Sequence, residues 1–336
     1  MKSISEFKKN FSGTEWPEPP QLLEVFWQFE IPESVEKVWP FIADTSRFNR
    51  ALGLLDRIHT EINGQMIVKD KFLRMPQEWI EEPWVWNVGK SMAFHRTYIK
   101  GVACRLQCAV SLEPVDGKRA TRIYVYFAWV PRGLFMRMLL RVAMNKLKKK
   151  YAKVIKEIGD SIKKNKDLLK TARACDPQVL KQVHEVGKKL VALEMKPQTV
   201  DHLSDFICYG DELDLYRIRV RELAIEWGID ERDLLNTCLH ATRLGLLSLT
   251  WDVVCPHCRG VRNEVQELKE LASTNTCEIC QKTFDVGPDE TIEITFHIHT
   301  SIRDIKPALY CAAEPSRKKH ILAQQLVPPQ KSIEFQ

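Results

Sequence analysis

The stretch that most restricts the fold is the run from Leu55 to Val130. Apolar and polar residues alternate there through one strand after another, and past Pro131-Arg132-Gly133 the pattern becomes helical to about Asn165. Gln65–Arg74 is the first candidate strand. Trp79, Trp84, Trp86 and Val88 mark a second, and Met92–Lys100 is a third. Cys104, Leu106, Cys108, Val110 and Leu112 alternate through a fourth, and Ile123, Val125, Phe127 and Trp129 share one face of a fifth, Thr121–Val130. Asp116-Gly117 between the last two is a hairpin signal. Successive hairpins imply an antiparallel sheet with one face covered. The helix can cover it, because Phe135, Met138, Leu139, Val142, Leu147, Tyr151, Val154, Ile155, Ile158 and Ile162 recur at steps of three and four. Upstream, Leu22–Ile31 predicts a half-buried strand with Leu23, Val25, Trp27, Phe29 and Ile31 on one face and Phe26 out of pattern. Pro32-Glu33-Ser34 then opens a helix ending near Leu52-Gly53, and residues 1–20 read as an extended polar lead-in.

The chemistry with the clearest spacing is Cys255-Pro256-His257-Cys258 and Cys277-Glu278-Ile279-Cys280, two Cys-x-x-Cys pairs separated by eighteen residues. Four thiolates in two knuckles suit one tetrahedral Zn²⁺, and a site filled by four cysteines leaves no open position, so the metal is expected to be structural. An iron–sulfur cluster uses the same ligands and is the nearest alternative. Ahead of the cysteines, Glu212–Trp227, Gly228-Ile229-Asp230, Glu231–Leu244 and Leu246–Val254 predict helix, tight turn with Asp230 as N-cap, helix and strand, a helix-turn-helix or winged-helix unit. Its second helix would offer Arg232, Asn236, His240 and Arg243 to a major groove, behind an acidic first turn of Asp230, Glu231 and Asp233. Thr291–Ile298 predicts a further strand, and Ala308–Cys311 another.

The 336 residues suffice for two or three domains of about 100–200 residues. The net charge of +6 is uneven: Arg132–Lys170 holds 13 basic residues against three acidic ones, a net of +10, leaving −4 elsewhere. The basicity therefore belongs to one helix, whose lysines 146, 148, 149, 150, 153 and 156 read as a solvated outer face, with peripheral contact to anionic lipid as the alternative. The chain has no apolar run long enough to span a bilayer and no secretory h-region at Met1–Phe7. Six further cysteines (Cys104, Cys108, Cys175, Cys208, Cys238, Cys311) read as buried thiols, and a cytoplasmic location is expected. Gly-x-Ser-x-Gly, phosphate-loop, His-Glu-x-x-His and Gly-x-Gly-x-x-Gly motifs are all missing, which argues against the corresponding enzyme classes.

Two resemblances rest on particular residues. Ile31-Pro32-Glu33-Ser34-Val35-Glu36-Lys37-Val38-Trp39-Pro40 and Asp44-Thr45-Ser46-Arg47-Phe48-Asn49 resemble the strand-to-helix entry and first-helix turn of the START-like (SRPBCC) superfamily. That resemblance covers about residues 20–165. It implies an α+β helix-grip domain, a curved antiparallel sheet plus a long C-terminal helix, with a pocket for a hydrophobic ligand between them; Trp27, Trp39, Trp84, Trp86, Phe94 and Trp129 are the candidate lining. Arg219-Val220-Arg221-Glu222-Leu223-Ala224, Thr242–Leu247, Trp251–Arg259 and His320-Ile321-Leu322-Ala323-Gln324 resemble the zinc-ribbon-containing regulatory region that precedes the catalytic domain of some bacterial class III adenylate/guanylate cyclases. The cyclase domain would lie beyond residue 336, so no cyclase activity is expected of this chain, only a sensory or regulatory role.

The expected organisation is an extension (1–20), a START-like domain (21–165), a helical connector (166–200), a winged-helix-like unit (201–250), a zinc ribbon with β extension (251–325) and a tail or cut linker (326–336). The expected partners are a hydrophobic small molecule and a cyclase domain in cis or trans. The competing functions are a DNA-binding regulator and a START-like aromatase/cyclase-type enzyme using Arg96, Tyr98 or His95.

Overall fold

A computed structural model describes residues 2–9, 11, 22–54, 57–62, 65–72, 74–164, 175–257, 259–277, 282–305, 315–317 and 321–327. The chain divides into two compact units, 1–169 with 309–336, and 170–308.

The first unit begins with α1 (Ile4–Lys8) and β1 (Leu23–Ile31), then α2 (Val35–Ala43) and α3 (Thr45–Ala51). Seven strands come next: β2 (Ile58–Ile62), β3 (Gln65–Phe72), β4 (Met75–Glu81), β5 (Val85–Asn87), β6 (Ser91–Lys100), β7 (Ala103–Pro114) and β8 (Thr121–Pro131). They form one antiparallel sheet in the order β1-β8-β7-β6-β4-β3-β2, with β5 also paired to β6. The 31-residue helix α4 (Leu134–Lys164) packs over it. Alternation puts Leu23, Trp27 and Ile31 of β1 and Ile123, Val125 and Phe127 of β8 on the inner face, where Leu140, Met144, Val154, Ile155 and Ile158 of α4 meet them. This is the α+β helix-grip arrangement that the START-like resemblance implies. The outward face of α4 is apolar in its first turns, with Leu134, Phe135, Met138 and Val142 exposed, and lysine-rich beyond them.

Phe26, out of pattern on β1, packs on the outer face with Tyr124 and Tyr126, under Phe7 of α1. The extended lead-in expected for residues 1–20 is therefore helical at Ile4–Lys8. A capping box between Ser3 and Glu6 starts it, and burial of Phe7 and Phe11 anchors it. The single strand expected through Trp79–Val88 is two, β4 and β5, which both pair with β6.

A tight crossing closes the β6–β7 turn. The Val102 amide donates to Gln77 Oε1 at 3.0 Å, and Gly101, at φ +133°, leaves the room for it. A Cβ on residue 101 would lie 2.0 Å from Gln77 Oε1. Gly101→Ala therefore strains the backbone and displaces Gln77 together; we expect a loss of about 2–3 kcal/mol in urea unfolding. A midpoint equal to wild type would show that the turn relaxes freely.

The second unit contains α5 (Pro177–Ala192), α6 (Pro197–Tyr209), α7 (Glu212–Leu215), α8 (Val220–Trp227) and α9 (Glu231–Arg243). Its strands are β9 (Leu247–Val254), β10 (Val261–Val265), β11 (Thr274–Cys277), β12 (Lys282–Asp285) and β13 (Ile292–Ile298). The connector expected at 166–200 is not separate from the helices and strands after it: Val183 and Leu190 of α5 share a core with Leu203, Leu234 and Phe296. Lys196-Pro197, inside that expected connector, opens α6 with proline in its first turn, where its missing N–H costs nothing. The one helix expected over Glu212–Trp227 is split at Ile218, which exchanges backbone hydrogen bonds with Phe296 of β13 at 2.8 and 3.1 Å. Asp230 caps α9 as expected, accepting from the amides of Arg232 and Asp233. The sheet order is β10-β9-β13, with β11 and β12 as a separate hairpin.

The chain then returns to the first unit. Strand β14 (Ala323–Gln324) pairs with β5, the Val88 amide donates to the Leu322 carbonyl, and Trp86 Nε1 donates to the Ile321 carbonyl. The division at 251–325 expected from sequence thus assigns the wrong neighbours to its last residues. The strand expected at Ala308–Cys311 lies outside the described residues, as do residues 328–336 of the tail. No helix among the described residues is long and apolar enough to cross a membrane.

Candidate functional site

A cavity of about 500 Å³ lies between the sheet and α4 of the first unit. Its floor is apolar: Leu106, Cys108 and Val110 from β7, and Ile123, Val125, Phe127 and Trp129 from β8. Leu140, Met144, Leu147 and Tyr151 of α4 form the roof, and Trp79, Trp84, Phe94 and Tyr98 line one end. The indole of Trp84 stacks on Phe94 with ring centroids 4.4 Å apart.

Three of the six residues expected to line a pocket are on this wall: Trp84, Phe94 and Trp129. The others are not. Trp27 packs behind it, edge-on to Phe127 and Tyr151. Trp39 faces a separate hollow with Val35 and Leu112, and Trp86 is buried beside the returning segment at Ile321. Sequence alternation assigns a residue to a sheet face, but that face extends beyond the cavity, so Trp27 satisfies the pattern without reaching the space.

Arg96, one of the polar groups named from sequence, lines the wall, but its partner Glu81 was not anticipated. Glu81 and Arg96 face each other across β4 and β6, both almost fully buried. Arg96 donates to the Glu81 carboxylate from Nε at 2.9 Å and from Nη2 at 3.3 Å. Trp79 Nε1 and Trp84 Nε1 donate to the same carboxylate at 2.7 and 3.1 Å. The guanidinium lies over the rings of Phe94 and Trp79, 4.5 and 5.0 Å from their centroids. Burial pushes the Glu81 carboxyl up, but the charge and hydrogen bonds of Arg96, with help from Trp79 and Arg57, outweigh it and hold the group below its ordinary value. The pair is thus ionised and internally neutralised. Arg57 bonds Asp70 at 3.1 Å and also lies over Trp79, 4.9 Å from its ring centroid. Burial pushes the Cys108 thiol up to about 12, which keeps it protonated. Of the polar groups named for an enzymatic reading, Arg96 and Tyr98 line the cavity and His95 does not.

In the second unit, Cys255 and Cys277 are both fully buried and share a small cluster with Val253 and Phe284. The Cys255 knuckle is a tight turn: the Arg259 amide donates to the Cys255 carbonyl at 2.8 Å, the Cys255 amide to the Gly260 carbonyl at 2.9 Å, and Arg259 takes φ +53°. Cys258 and Cys280 lie outside the described residues. Of the other cysteines, Cys108, Cys208 and Cys238 are buried, but Cys104 is exposed and Cys175 only half-buried; Cys311 is outside the described residues. His297 bonds Glu264 and Thr250, and His299 bonds Ser301. Among the described residues no three metal-binding side chains converge.

The family model described as a family of unknown function (DUF5939) matches residues 184–317. No curated protein matches the chain. Solved structures similar to it include the Zhui aromatase/cyclase from Streptomyces sp. R1128, at 10% identity and TM-score 0.35, covering 42% of this chain and 94% of that one. A conserved protein from Geobacillus kaustophilus is 18% identical, with TM-score 0.33 and coverage of 41% and 97%. A START superfamily protein from Mycobacterium smegmatis is 13% identical, with TM-score 0.29 and coverage of 40% and 98%. Likenesses at such values concern fold alone, and a fold of this kind does not carry a function with it.

Proposed function

We propose that this chain is a non-catalytic sensory region that binds a hydrophobic small molecule in its first unit and regulates a class III nucleotide cyclase domain. The observation that carries the reading is the cavity: about 500 Å³, walled by aromatic and aliphatic side chains, within the range of small-ligand sites. Its buried ion pair is already satisfied by its own partners and its thiol is protonated, so the wall offers a ligand packing rather than an activated nucleophile or base. This supports binding over the aromatase/cyclase-type alternative. The cyclase partner rests on the sequence resemblance around Trp251–Arg259.

The zinc ribbon and the winged-helix-like unit belong to the same proposal. Burial of Cys255 and Cys277 in one cluster, at the ends of β9 and β11, fits a four-cysteine site completed by Cys258 and Cys280. Helix, αL turn at Gly228, helix and three-stranded sheet support the winged-helix-like reading. The acidic start of α9, where Asp233 pairs with Lys196, disfavours DNA phosphates there. Ligand would act on the second unit only through a difference in its affinity for two states of the first.

The test is binding of the neutral dye Nile red to wild type and to Ala143→Trp, which places an indole in the cavity from α4. Saturable binding by wild type, weakened at least about tenfold in the variant with unchanged circular dichroism, is the expected result. Absence of saturable binding by wild type would remove the receptor reading. Protease sensitivity across 165–200 that does not change with saturating dye would remove the coupling.

A further inference from the structure

The cavity lining is uneven in charge. Most of its wall is buried, but Lys71, Lys146 and Lys150 line it and are exposed, so they mark where it opens to solvent. Lys146 and Lys150 are one helical turn apart on α4, which makes them neighbours on one face. Lys150 Nζ donates to the Leu52 carbonyl at 2.9 Å and sits over Gly53, where a Cβ would approach it to 3.5 Å. The opening is thus framed by the end of α3, the end of β3 and the middle of α4. Among the described residues Asp70 is the only carboxylate lining the cavity, and Arg57 already occupies it at 3.1 Å. Among the described residues, too, no carboxylate pairs with Lys71, Lys146 or Lys150. With Arg96 neutralised by Glu81, these three lysines frame the opening above an apolar chamber.

Resting on the receptor reading, we infer that the ligand is an anionic amphiphile, its apolar body in the chamber and a carboxylate or phosphate head at Lys71, Lys146 and Lys150. A neutral apolar ligand gains nothing from three ammonium groups at the opening. An acidic head gains charge-assisted hydrogen bonds while its tail leaves water.

The experiment compares dodecanoate, dodecyl phosphate and dodecanol as competitors of Nile red, on wild type and on Lys71→Ala/Lys146→Ala. That variant spares the Lys150 contact to Leu52. The expected result is at least about tenfold tighter binding of one or both anions than of the alcohol, reduced several-fold in the variant and by added salt, with dodecanol unaffected. The better of the two anions identifies the head. Equal competition by anions and alcohol would overturn the anionic head and leave the apolar receptor standing. Competition by none of the three, with no saturable dye binding, would overturn both. A preference for anions that survives in the variant would overturn the assignment to these lysines.

Discussion

Arg96→Ala is expected to destabilise the first unit by about 3–5 kcal/mol, the largest effect of any single substitution in the cavity wall. The cost arises less from the lost attraction than from what stays behind. Glu81 keeps its place beneath Trp79 and Trp84 with two indole donors but without the guanidinium that neutralised it. Burial then pushes its carboxyl up against only the smaller opposing effects of Trp79 and Arg57, whereas in the native protein Arg96 holds it down. The pH dependence has a definite sign. A folded-state value below the unfolded one means that the pair contributes fully above the unfolded carboxylate range, about 4.3, and loses that contribution as pH falls through the lower folded value. The difference between wild type and Arg96→Ala should therefore be greatest near neutrality and shrink in acid, as Glu81 in the variant takes up its proton. Denaturant titrations followed by tryptophan fluorescence at several pH values measure both. In Glu81→Gln/Arg96→Met an acceptor remains for an indole and no charge is stranded, so more than half of the loss should be recovered. A single-variant loss below about 1 kcal/mol would mean that water reaches the pair.

Removing the metal from the proposed four-cysteine site should have an effect of comparable or greater size, confined to the second unit. Binding of structural zinc is coupled to folding, and apparent values for small sites reach on the order of 10 kcal/mol. Cys255→Ser or Cys277→Ser should abolish stoichiometric zinc, counted by native mass spectrometry, and accelerate hydrogen exchange through β9, β10 and β13. Val253 and Phe284, packed against the two cysteines, should lose their burial first. Exchange in β6, β7 and β8 should not change. A coloured iron–sulfur mass in place of zinc, or a variant with native exchange throughout, would end the structural-zinc assignment.

Elements with strong periodicity were legible from the sequence, and those defined by partners were not. Leu23, Trp27 and Ile31 fall on the buried face that alternation predicts, and α4 begins and ends within a few residues of its pattern, because both are long and one-sided. Short α1 carries one buried residue per turn, too little to register as a helix, although Phe26 on the wrong face of β1 was its trace. The split at Ile218 depends on β13, some eighty residues later, and no local signal marks it. The cavity divides in the same way. Trp84, Phe94 and Trp129 were found as aromatic residues at strand spacing. The Glu81–Arg96 pair needed the register between β4 and β6, which alternation does not supply. The lysines were read as one solvated helix face, and only the tertiary structure separates Lys146 and Lys150, at the cavity, from Lys148 and Lys149 beside them.

The return of the chain to β5 sets an order of events during synthesis. The first unit up to Lys164 leaves the ribosome before the second unit begins, whereas the short strand at Ala323–Gln324 that pairs with β5 is made after it. At about 5–20 residues per second, the intervening stretch takes roughly 10–30 s to emerge. Through that interval the Val88 amide and the indole nitrogen of Trp86 lack the acceptors that Leu322 and Ile321 later provide. The nascent chain thus exposes an incomplete sheet edge, the kind of surface on which another strand can add. Residues made after the second unit complete a domain that was begun before it, and a ribosome that stalls within the second unit leaves the first one open.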